Sequence, residues 1–137
     1  MQKTTNYLAI DVGSRRIGVA VADDVIKIAR PLLTLQMTDK SVEDIVAIAK
    51  DEKCAVIVIG YPRNQSGEAT AQTEYVEKFA DQIKAQFTGE TVYQDESLTS
   101  VIAEERLALR QKRYDKSDID AEAACIILTD YLERPRG

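Results

Sequence analysis

Four acids, Asp11, Asp95, Glu96 and Asp120, stand where apolar runs of this chain give way to polar sequence. Asp11 interrupts LAIDVGSRRIGVAV (8–21) directly after Tyr7–Ile10, a run that should be buried. Asp95 and Glu96 close VYQDE (92–96), and Asp120 lies in KSDIDAEAA (116–124). Carboxylates gathered in one place repel each other and cost stability unless a cation neutralises them. Two divalent ions held about 4 Å apart by such acids can clamp the attacking and leaving oxygens of a phosphodiester.

Each acid also has a purely structural reading. Asp120 can be the last position of a capping box, Ser117-x-x-Asp120, with Asp118 favouring the helix dipole. Asp95-Glu96 can be a polar strand end, and Asp11 can be hydrogen-bonded within a hairpin turn. Asp11 is the hardest to set aside in this way, because the residues before it should be inside.

Composition narrows the chemistry. The chain has no histidine, so His-based triads are excluded. Its two cysteines, Cys54 and Cys125, sit far apart in apolar surroundings and read as small buried hydrophobes. Metal or acid–base chemistry must therefore rest on Asp and Glu, which select hard ions such as Mg²⁺ or Mn²⁺. A net charge of −5 argues against a protein that coats nucleic acid non-specifically. Local basic clusters remain. Arg106, Arg110, Lys112, Arg113 and Lys116 face one acid, Asp115, in 106–116; Arg15 and Arg16 flank Asp11. At 137 residues, 45% hydrophobic and 30% charged, the chain reads as one soluble domain, 1–137. No apolar run approaches a membrane span, and MQKTTNY lacks the apolar core of a signal peptide, so a cytoplasmic location is expected.

The elements that must position these acids follow from periodicity. Strands are expected at about 7–11, 16–22, 25–29 or on to 35, 55–60 and 91–95, the first two joined through Gly13-Ser14. Helices are expected after a capping box variant at Ser41–Asp44, over 68–87, over 99–110 and over 118–133. In 68–87 the apolar stripe is Ala71, Tyr75, Val76, Phe79, Ala80, Ile83 and Phe87. Three strands followed by alternating helices and strands predict a mixed α/β sheet of order 3-2-1-4-5 with helices on both faces. The first strand is then central, and its carboxyl end, at Asp11, is the natural place for chemistry. The fifth strand lies two spacings away, roughly 10 Å. Because neighbouring strand residues face opposite sides, only one of Asp95 and Glu96 should serve the site; Glu96 has the longer reach.

The segments IDVGSRRIGVAVAD (10–23), VIGYPRNQSGE (58–68), DESLTS (95–100) and KSDIDAEAACIIL (116–128) together strongly resemble the YqgF/RuvX family, over about residues 7–133. These are Holliday-junction-resolvase-like proteins regarded as pre-16S ribosomal RNA nucleases. The resemblance implies an RNase H-like fold and a metal-dependent endonuclease using two Mg²⁺ or Mn²⁺ ions, acting at the 5′ end of pre-16S rRNA. It implies catalytic, metal-binding acids at Asp11, Glu96 and Asp120, with Asp95 as a supporting acid. Arg15, Arg16, Arg63, Asn64, Arg110, Arg113 and Lys116 would grip nucleic acid. Where the family has an arginine after its Asp-Glu pair this chain has Ser97, so that cation is either absent or replaced by Arg15, Arg16 or Arg63.

Other readings compete. One is a resolvase-type nuclease of branched DNA; another is a non-catalytic module on the same fold that docks to ribosomal or transcription machinery. The Asp-x-Gly-Ser hairpin (11–14) also resembles the phosphate loop of sugar-kinase and actin-type ATPases, which need two such domains.

Overall fold

In a computed structural model, residues 4–62, 71–96, 105 and 116–133 are described. The strands form where β-branched and aliphatic residues alternate or run together: β1 Asn6–Val12, β2 Arg16–Asp23, β3 Arg30–Gln36, β4 Cys54–Pro62 and β5 Glu90–Glu96. The helices are α1 Ser41–Asp51, α2 Ala71–Gln86 and α3 Lys116–Glu133. The five strands make one sheet of order β3-β2-β1-β4-β5, with β1 antiparallel to β2 and parallel to β4. That is the order expected from the sequence, with β1 central.

Strand alternation divides the core. Leu8, Ile10, Val12, Ile17, Val19, Ile57 and Ile59 face α1 and α2, packing with Ile45, Val76, Phe79 and Ile83. Tyr7, Ala9, Ala22, Val56 and Val58 face the other way and meet Ile127, Leu128, Tyr131 and Leu132 of α3. Ala20 joins them against Ala124 and Cys125. Fully burying each aliphatic side chain contributes roughly 1.5–3 kcal/mol, so both faces matter to stability. Val56–Ile59 is continuously apolar because β4 is covered on both sides.

Several local expectations change. Val25–Ile28 is not a strand. The Asp23 carboxylate accepts the Val25 and Ile26 amides at 2.9 and 2.7 Å, and Lys27 takes φ 60°. This Asx-type turn leaves Val25, Ile26 and Ile28 at least 65% exposed. β3 starts only at Arg30, and Pro31 is tolerated because β3 is an edge. Nor is Ser41 a helix cap. Its hydroxyl oxygen accepts the Thr38 amide at 2.8 Å, so it fastens the preceding turn while Lys40 holds the N-cap position. In α2, Tyr75 is exposed and Thr73 is buried, its hydroxyl donating to the Pro62 carbonyl at 2.8 Å. The helix expected over 99–110 lies outside the described residues, apart from Glu105, which is helical.

Both cysteines are buried thiols outside any disulfide, as their surroundings predict. Burial, with the Glu52 charge second, pushes the Cys54 thiol up to about 11 from 9.0. The unfolded chain releases this proton near pH 9 while the folded chain keeps it. The Cys54 contribution is thus complete below pH 9 and is lost as pH rises toward 11. Wild type should lose stability across pH 9–11 more steeply than Cys54→Ala in urea titrations, and equal slopes would refute the assignment.

Candidate nuclease site

The carboxyl end of β1 is built to hold a carboxylate on an open floor. Alternation from Tyr7 and Ala9 puts Asp11 on the α3 face, half-buried. Its cross-strand partner is Gly18 on β2. On the other side, one step past the Ile10–Ile59 pair, its neighbour is Gly60 of β4. Neither in-register neighbour carries a side chain.

Gly18 has a second use. A Cβ there would collide with the Asp120 carbonyl and lie 2.8 Å from the Ala121 amide nitrogen. The α3 backbone therefore sits directly on β2 at this point, helped by the small residues Ala20, Ala121 and Ala124. Seating the helix there carries Asp120 to the strand pair that bears Asp11. The Arg16 Nε donates to Asp120 Oδ2 at 2.6 Å, joining residues 104 apart in sequence. Since α3 begins at Lys116 and Asp120 bonds to β2, the capping-box reading of Asp120 does not hold.

The start of α2 closes the same end of the sheet. Gln72 Nε2 donates to the Val12 carbonyl at 3.0 Å, while Thr73 holds Pro62 at the end of β4.

The other two acids stand at the end of β5. Asp95 pairs in register with Tyr61 and Glu96 with Pro62. Counting from Val92, which packs toward α3, position 95 falls on the α2 face. Asp95, expected as a supporting acid, is exposed and across the sheet from Asp11 and Asp120. Position 96 stays separated from β1 by the whole of β4, and it lies two residues beyond the level of Asp11, about 7 Å along the strand. The Glu96 side chain is outside the described residues.

Among the described residues no three His, Cys, Asp or Glu side chains come close enough to hold a metal ion. The donors that do share a face, Asp11 and Asp120, are carboxylates, which suit a hard divalent cation rather than zinc or copper. Of the expected cations, Arg15 is exposed beside the site and Arg16 is engaged by Asp120. Arg63, Asn64, Ser97, Arg110 and Arg113 lie outside the described residues; Lys116 opens α3. Gly18 escaped the sequence reading. The signal was present in IGVAVA (17–22), where small residues alternate with large ones and mark a strand face that a helix backbone approaches.

Comparison with known proteins agrees with this architecture. The Holliday junction complex of RuvC from T. thermophilus has a chain that superimposes with a TM-score of 0.52 at 13% identity, covering 93% of each chain. The Fowlpox virus resolvase in complex with Holliday junction DNA gives 0.58 at 10% identity, covering 94% of this chain and 97% of that one. The fold is therefore RNase H-like. A protein of Chloroflexus aurantiacus named "Putative pre-16S rRNA nuclease" is 39% identical over 135 residues, 95% of this chain and 88% of that one. One of the same name from Synechocystis sp. is 36% identical over 141 residues, 100% of this chain and 93% of the other. The RuvX family model, described as Holliday junction resolvase, matches residues 5–134. With that match and these relatives, the chain belongs to the RuvX family.

Proposed function

We propose that this protein is a divalent-metal-dependent endonuclease that hydrolyses phosphodiester bonds in structured RNA, with the 5′ end of pre-16S rRNA as its substrate. The observation that carries the reading is the seating of α3 on Gly18, which brings Asp120 to the strand pair bearing Asp11. The relatives named for pre-16S rRNA support RNA as the polymer. Ribosome maturation would place the work in the cytoplasm, in reach of ribosomal and transcription machinery.

Asp11, Glu96 and Asp120 would hold Mg²⁺ or Mn²⁺, as a two-ion site. When bound, such ions supply positive charge against the charge that builds on the phosphate during hydrolysis. The protein's own part is positional. Asp11 is fixed by the central strand and Asp120 by the helix seat. Arg15, with Arg63, Asn64, Arg110, Arg113 and Lys116, would hold phosphates on either side of the cleaved bond.

The test is incubation with Mn²⁺ of a labelled pre-16S 5′-leader RNA and, separately, a four-way DNA junction, each with a chelator control. Metal-dependent cuts in the RNA are expected. Cutting of the junction alone would assign a resolvase-type DNA nuclease instead. Binding of RNA without any cleavage would assign the non-catalytic module.

A further inference from the structure

We propose that Arg16 is an internal counter-cation for Asp120, whose positive charge a divalent ion must work against when that carboxylate ligates it. The inference rests on Asp120 being a metal ligand, and it adds a residue that sets how tightly metal binds. The contact is short, 2.6 Å from Nε to Oδ2, and both side chains keep some solvent exposure, 26% and 22%. A guanidinium N–H at that distance occupies one of the two carboxylate oxygens and sets a full positive charge beside any ion that binds the other. The two cations compete for the charge of one carboxylate.

The surroundings let Arg16 give way. The Arg16 backbone is fixed: its carbonyl accepts the Gly13 amide at 2.9 Å, and it pairs with Gln36 of β3. Only its long side chain needs to move, and partial exposure gives it somewhere to go. Without metal, Asp11 and Asp120 on one sheet face would repel each other, and Arg16 offsets part of that charge. The neighbouring Arg15 is exposed, which makes it the natural control for general charge effects.

The experiment is Mn²⁺ titration by calorimetry of the full chain at fixed ionic strength, with melting curves in parallel. Arg16→Gln should bind Mn²⁺ roughly tenfold more tightly than wild type, while melting lower without metal. Its Mn²⁺-induced rise in melting temperature should exceed that of wild type. Arg16→Lys keeps the charge but not the Nε donor, so it should fall between the two; it also serves if Arg16→Gln folds poorly. Equal tightening in Arg15→Gln would reduce the effect to general charge and overturn the proposal. Wild-type binding that Asp11→Asn abolishes, with Arg16→Gln unchanged or weaker, would overturn the role of Arg16 and leave the nuclease site standing. Absence of Mn²⁺ binding in both wild type and Arg16→Gln would overturn both together.

Discussion

Gly18→Ala should cost roughly 3 kcal/mol or more of folding stability, at the upper end of what one added methyl does in a packed core. The reason is the identity of the obstructing atoms. The new Cβ meets the Asp120 carbonyl and the Ala121 amide, which are main chain and have no rotamer with which to yield. Relief requires α3 to lift from β2, and that loosens the packing of Ala20 on Ala124 and Cys125. The same displacement takes Asp120 away from Arg16 and from the strand pair of Asp11. Urea unfolding in metal-free buffer reads the stability term directly. Whatever fraction stays folded should respond less to Mn²⁺ than wild type. A variant within about 0.5 kcal/mol of wild type would mean that α3 does not rest on this glycine.

Asp11→Asn should reduce metal-dependent cleavage by on the order of 10³-fold while leaving the metal-free protein as stable as before, or more stable. Loss of a ligating charge removes several kcal/mol of transition-state stabilisation, and each 1.36 kcal/mol is tenfold in rate. Stability should move the other way. Asparagine keeps the size and hydrogen-bonding capacity of aspartate but removes a negative charge from the face shared with Asp120. A change of about 0–2 kcal/mol toward greater stability is expected without metal. Added Mn²⁺ should then raise the melting temperature of wild type more than that of the variant, since only the state that binds the ion gains from it. A purely structural Asp11 would give the opposite result: a variant destabilised in both buffers, with no difference in metal response. Melting curves of the two proteins with and without Mn²⁺, beside a cleavage assay, separate these outcomes.

Much of this protein was legible along the chain because it depends on short-range patterns. Val56–Ile59 reads as a strand covered on both faces, and Ile127 and Tyr131 mark the apolar side of the last helix, since burial imposes its period locally. From the order of those elements and the handedness of crossovers, β1 had to be central, which places Asp11 from topology alone. The same logic failed where a side chain had two uses for its polar atoms. Ser41 and Asp23 both carry hydrogen-bonding groups suited to caps or turns. Which backbone amide each one takes is settled by how the chain enters the next element, not by residue type. Alternation could say that Asp95 and Glu96 face opposite ways; only the packing of Val92 against α3 shows that Asp95 lies across the sheet from Asp11. The Arg16–Asp120 pair could not be read from sequence at all. Its partners are 104 residues apart, and what joins them is the absence of a side chain at Gly18. A missing Cβ gives no signal of what will fill the space, because the occupant is another backbone brought there by the packing of the whole sheet.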